Sequence, residues 1–216
     1  GSTAFVIGEY SDVRQYAGNI QLHNYTYTDE VAATTASVER LPDMVDYFSK
    51  TTGVSYPYET YSQVFVLDVP WGMAATSMAI QTENMVDDFG THADFLYLWD
   101  GLEGESLAQQ WFGNYVTCND PNHIWLTKGI ARYFSGLYNA NKNGKDEFLL
   151  WQHAYDQSTY FFDWDYSVRQ ALVNTDTNNI YNFINSNTPY FHASAVMRML
   201  HKELGETQFK SVIQEY

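Results

Sequence analysis

The sequence predicts an α+β chain, with a small mixed or antiparallel sheet in residues 1–85 and a mainly helical part in residues 86–216. Three observations carry this. Short β-branched and aromatic runs at 20–27 (IQLHNYTY) and 63–69 (QVFVLDV) lie in the first part, and such runs between turn residues mark strands. Apolar residues recur at helical spacing over 102–116, and again from Ile124 onward, the signature of helices with one buried face. Thr188-Pro189 then reads as an N-cap followed by proline at the first helical position.

Taken in order, residues 5–8 (FVIG) form a short apolar strand and 20–27 a second, alternating one. Residues 36–50 predict a helix, because Val38, Leu41, Met44, Val45 and Phe48 share one face and Gly53 can cap its end. Residues 63–69 follow as a buried strand, and the small residues around Ala74 and Ala75 suit an edge strand. Residues 85–100 read as a polar and aromatic connector. A helix over 102–116 presents Leu107, Ala108, Trp111 and Phe112, and CNDPNH at 118–123 is a turn around Pro121. The next helix runs from Ile124 to about Asn139 and stops at Asn141-Lys142-Asn143-Gly144. A further helix spans 146–157, the Asn- and Thr-rich stretch 174–187 reads as a surface loop, and helices flank Gly205.

Composition narrows the function classes. A chain of 216 residues with 45% hydrophobic content has ample length for one core, and it lacks the long apolar run of a membrane span. Its net charge of −15 disfavours nucleic acid and anionic membranes as partners. The single cysteine, Cys118, excludes an internal disulfide. Asn24-Tyr25-Thr26 matches a glycosylation sequon. The 18 tyrosines and high aromatic content point to aromatic packing in a core and a cleft. His153-x-x-Asp156 is a pair at helical spacing that suits a solvated helix face.

The stretch 105–133, ESLAQQWFGNYVTCNDPNHIWLTKGIARY, is the most informative one. Gln110-Trp111-Phe112-Gly113-Asn114 on the first helix, and Trp125, Leu126, Gly129 and Ala131 on the second, resemble the zinc helices of the aminopeptidase N family. These are gluzincin peptidases with a thermolysin-like (zincin) catalytic domain. In that family the first helix carries H-E-x-x-H directly before Q-W-F-G-N, and the second carries a ligand Glu within W-L-x-E-G-x-A. The resemblance places Glu105 and Gln109 at the two His positions, Ser106 at the general base and Lys128 at the third ligand. It extends further. The helix of 36–50, the YPY-x-x-Y segment and the strand after it have counterparts. Residues 71–75 (WGMAA) fall where the family's G-A-M-E-N segment grips the substrate amino group, which puts Met73 and Ala74 at the substrate edge. Tyr190, in Y-F-H-A-x-A-V-x-R-M-L, falls on the Tyr that stabilises the oxyanion.

The chemistry at these positions departs from the family's. Catalytic zinc takes about three protein ligands and an open site for water. One carboxylate, one amide and one ammonium make a poor set, because a protonated lysine has no lone pair. The resemblance therefore implies no zinc and no activated water, no base at Ser106, and a lone Tyr190 hydroxyl able to give one hydrogen bond. It also implies a Glu105–Lys128 salt bridge beside Gln109. The expected function is a non-catalytic, pseudo-enzyme homologue that binds a peptide or protein in the former cleft, or serves as a scaffold beside flanking domains of a larger protein. Two alternatives stay open: an active zinc aminopeptidase with atypical ligands, and a structural spacer with a plugged cleft. Residues 1–85 and 86–216 are expected as the β-rich and helical halves of one domain.

Overall fold

The computed structural model describes residues 3–69, 72–86, 89–166, 170–174, 183–184 and 186–216. Five strands form one mixed sheet: β1 (Ser11–Ala17), β2 (Ile20–Thr26), β3 (Thr60–Val66), β4 (Met73–Ala75) and β5 (Met78–Thr82), in the order β1-β2-β3-β5-β4. The outer pairs β1–β2 and β4–β5 are antiparallel, and the central pairs β2–β3 and β3–β5 are parallel. The parallel β2–β3 pairing requires a crossover. That crossover holds α1 (Val31–Ser37) and α2 (Leu41–Thr52).

The helical part comprises α3 (Phe89–Ala108), α4 (Ile124–Asn143), α5 (Ala154–Tyr166) and α6 (Ala193–Glu215). Helical turns at Lys145–Glu147 and Phe148–His153 lead into α5, and a wide π turn, Thr188–His192, leads into α6. The main core joins sheet and helices through residues such as Leu22, Phe48, Tyr61, Leu107, Phe134 and Phe209. Helices α3 and α4 cross closely because small residues meet there. A Cβ on Gly104 would come within 2.9 Å of Ser135 Oγ, and that hydroxyl donates to Gly101 O at 2.7 Å. Among the described residues no helix is long and apolar enough to cross a membrane.

Several expectations need correction. Residues 5–8 are not a strand: Phe5 and Ile7 lie open to solvent, and the first strand is Ser11–Ala17. It pairs with β2 through a two-residue loop in which Gly18 (φ 61°) supplies the positive φ that such hairpins need. The helix expected over 36–50 is two helices, broken after Ser37, with Pro42 in the first turn of α2 where its missing N–H costs nothing. Gly53 caps α2 in the left-handed conformation (φ 74°), as expected. The supposed connector 85–100 is mostly the first half of α3. That helix ends at Ala108, and residues 109–116 form turns.

Further corrections lie toward the C-terminus. The helix cap before Pro189 is Asn187, not Thr188. Gly205 (φ 74°) breaks α6 into two segments, in line with the expected helices on either side. The sequon at Asn24 is buried: its Nδ2 donates to Val13 O at 3.0 Å, so the side chain offers no attachment site. Most of the loop expected at 174–187 lies outside the described residues, as does Trp71.

Candidate functional site

The turn after α3 is held by Gln110, Trp111 and Asn114. Gln110 is fully buried and fastens the β4–β5 hairpin: its Oε1 accepts from Ser77 N at 2.8 Å, and its Nε2 donates to Ala75 O at 3.1 Å. Ser77 sits at φ 55°, an uncommon conformation for a non-glycine residue, and the Gln110 bond holds it there. Asn114 Nδ2 donates to the same Ala75 carbonyl at 3.2 Å. Trp111 Nε1 donates to Val54 O at 2.9 Å, just past the end of α2. Gly113 has φ 137°, and a Cβ there would press to 2.5 Å against Thr127 Cγ2. Gly129 admits Ala193, whose Cβ would otherwise lie 2.3 Å from a new one. These motif residues set the spacing of α3, α4, α6 and the sheet edge.

On that frame Glu105 and Ser106 occupy the last turn of α3, with Gln109 directly after it. Lys128 and Arg132 stand one turn apart on α4, Asp156 lies in the first turn of α5, and Tyr190 and Phe191 lie in the π turn before α6. Two linked groups result. In the first, Lys128 Nζ donates to Gln109 Oε1 at 2.6 Å and lies 5.4 Å from the centre of the Tyr190 ring. In the second, Arg132 donates from Nη1 to Glu105 Oε2 at 3.1 Å, and from Nε and Nη2 to Asp156 Oδ1 at 2.9 and 2.7 Å. Phe191 covers the guanidinium at 4.2 Å, a cation–π distance.

The expected direct Glu105–Lys128 bridge is therefore replaced. Glu105 pairs with Arg132, one turn further along α4, and Lys128 binds the amide instead. The sequence reading missed Arg132, Asp156 and Phe191. Arg132 follows Lys128 at i+4, so it shares that helix face, and this was the signal available. Asp156 is not on a solvated face: it is 2% exposed. His153 instead contacts Arg198.

Electrostatics follow from burial. Burial lowers the Lys128 pKa below the ordinary lysine value, against the pull of the Glu105 charge. Burial also works against the Arg132 charge, but Asp156 and Glu105 outweigh it and raise that pKa further. Burial raises the Asp156 pKa, with Arg132 opposing. The Tyr190 hydroxyl is pushed up to about 12 by burial and by Glu105, so it is a donor across the ordinary pH range.

The remaining predicted site residues divide. Ala74, on β4, lines a groove of about 240 Å³ together with Gln109, Asn114, Thr117, Thr127 and Lys128. Met73 stands 57% exposed on the sheet edge. Ser106 is buried against Gly72, where an added Cβ would lie 2.9 Å from its hydroxyl. Among the described residues, no three His, Cys, Asp or Glu side chains converge as a metal-binding group.

A family model described as the peptidase family M1 domain matches residues 36–216. Aminopeptidase M1-A of Oryza sativa subsp. japonica is 24% identical over 219 residues, covering 99% of this chain and 25% of its own length. Probable M1 family aminopeptidase 1 of Encephalitozoon cuniculi is 24% identical over 235 residues, covering 99% of this chain and 26% of its own. Transcription initiation factor TFIID subunit 2 of Drosophila melanogaster is 29% identical over 116 residues, 53% of this chain and 9% of its own length. The chain thus spans about a quarter or less of these relatives.

Proposed function

The chain belongs to the peptidase M1 family, and from that premise we propose that it is a non-catalytic domain of the family, a peptide- or protein-binding scaffold within a larger protein. One observation carries this reading. At the positions that the resemblance assigns to metal ligands, one oxygen of each acceptor is engaged: Glu105 Oε2 by Arg132, and Gln109 Oε1 by Lys128.

A zinc ion placed among these residues would have to displace a guanidinium and an ammonium. It would gain one carboxylate and one neutral amide, where catalytic sites use about three donors of N, S or carboxylate type. The residues do not fit the metal. Ser106 adds nothing as a base, since an alcohol does not take a proton from water at neutral pH. Tyr190 keeps its hydroxyl, but one donor stabilises an oxyanion only after a nucleophile has formed one.

The charged groups make an alternative centre. Arg132 ties α3, α4 and α5 together, and Lys128 ties α4 to the turn after α3, so the cleft floor is braced by hydrogen bonds and ion pairs. The likeness to a relative named as a transcription initiation factor subunit supports a binding or scaffold role, and the aminopeptidase relatives support the enzyme alternative.

Metal analysis separates the two. After incubation with excess zinc and desalting, the purified chain is expected to retain well below one zinc per molecule. Stoichiometric retention, with release of N-terminal residues from peptides, would overturn the proposal in favour of an aminopeptidase with atypical ligands.

A further inference from the structure

Lys128 is a mostly buried cation whose compensation is incomplete. Its ammonium has three donors, and among the described residues only Gln109 Oε1 accepts from it. Glu105, the carboxylate whose charge acts on Lys128, accepts from Arg132 instead, and Arg132 also donates to Asp156. Among the described residues Arg132 thus has two anions in contact and Lys128 none. Burying a cation without a paired anion is costly, and the ring face of Tyr190 at 5.4 Å offsets only part of that.

Lys128 also lines open space. The groove beside Lys128 is lined by Ala74, Gln109, Asn114, Thr117 and Thr127, and among the described lining residues Lys128 is the single charged one. In a chain with 26 acidic residues against 11 basic ones, no described Asp or Glu lines this recess. Its volume, about 240 Å³, exceeds that of one carboxylate, so it can take a whole side chain.

We propose that this groove receives the side-chain carboxylate of a single Asp or Glu within an otherwise neutral peptide segment, with Lys128 as its counter-ion. The net charge of −15 sets the limit on the ligand. A run of acids would be repelled by the whole molecule, whereas one carboxylate gains a charge-assisted hydrogen bond at the groove floor. The inference rests on the non-catalytic reading, because a metal at this position would exclude Lys128 from the role.

The test uses three blocked or half-blocked peptides on the intact chain, followed by calorimetry or by NMR shift titration: acetyl-Ala-Glu-Ala-amide, its Gln isostere, and acetyl-Ala-Ala-Ala with a free C-terminus. The Glu peptide is expected to bind with a dissociation constant near or below about 1 mM, about tenfold tighter than the Gln peptide, the scale of a charge-assisted hydrogen bond. Lys128→Met is expected to abolish that preference, and Lys128→Arg to retain part of it. Equal binding of the Glu and Gln peptides, or no binding of either, overturns the proposal. So does a preference that survives in a folded Lys128→Met chain. Tighter binding of the free C-terminus would overturn the assignment to a side chain. If Lys128→Met does not fold, the Glu–Gln comparison on the unmodified protein still decides. Zinc retention tests the non-catalytic reading separately, so a metal-free chain that ignores the Glu peptide refutes this inference alone.

Discussion

Arg132 is the residue on which the site depends most. It is a mostly buried guanidinium with two buried carboxylates, Glu105 and Asp156, and an aromatic cover. Removing one partner from such a group leaves charge without compensation, which costs about 3–5 kcal/mol. Arg132→Met is therefore expected to lower the unfolding free energy by about that amount in urea titrations. Replacing Asp156 as well, with Leu, should recover part of the loss, because one of the stranded charges is gone. A double variant no more stable than Arg132→Met would show that the pair is not coupled. At this scale the sequence was legible where residues are flanked by motif. Gln109 and Lys128 are placed by Gln110–Asn114 and by Gly129, and they do meet. The partnership of Arg132 with Asp156 was not legible, because it joins two helices with no motif between them, and the sequence does not state how α5 is rotated.

Helix α3 shows why elements are harder to read when their buried face is polar. Its inward positions include Asp100 and Glu103, both nearly inaccessible, and these hid the periodicity that apolar residues would have displayed. Asp100 accepts from Arg40 at 2.6 Å, and Glu103 Oε1 accepts from Gln63 Nε2 at 2.6 Å. Gln63 Oε1 in turn accepts from Gln81 Nε2 at 2.9 Å. Strand β3 was found because Tyr61, Val64 and Phe65 are buried, and β2 because it alternates, with Leu22, Asn24 and Thr26 turned inward. Strand β1 was missed because its side chains are half polar and its hairpin turn is only Gly18-Asn19. The buried Glu103 carries a consequence for pH. Burial pushes its pKa from 4.5 up to about 8, only partly offset by the Gln63 bond. The folded state then holds a proton that the unfolded chain releases, so this contribution is fully present below about pH 4.5 and falls away as pH rises to about 8. The slope approaches about 1.4 kcal/mol per pH unit. Glu103→Gln, which keeps an oxygen for Gln63, is expected to be more stable than the parent at pH 8 and to lack this slope. Unfolding measured at pH 5, 6, 7 and 8 compares the two, and parallel curves would mean that Glu103 is not held as the acid.

Across the whole molecule, charge is distributed in two regimes. Several of the described cations are paired: Arg40 with Asp100, Arg132 with Glu105 and Asp156, and Lys142 with Asp43. With 26 acidic against 11 basic residues, and carboxylates such as Glu39, Glu59, Asp68, Asp120 and Glu203 exposed, the surface is acidic. Repulsion among exposed carboxylates works against the compact state, and it acts over distances that salt shortens, from about 30 Å at 0.01 M to about 10 Å at 0.1 M. The buried pairs are screened far less, so the bracing around Arg132 should persist while the repulsion fades. The melting temperature is accordingly expected to rise between about 10 and about 100 mM NaCl by a few degrees, the size of shift that about 1 kcal/mol makes in a chain of this length. Arg132→Met should show the same rise from a lower starting point, since its defect lies in the shielded interior. A melting temperature that falls with salt would mean that exposed ion pairs such as Arg14–Asp12, rather than the surplus of carboxylates, dominate the surface balance.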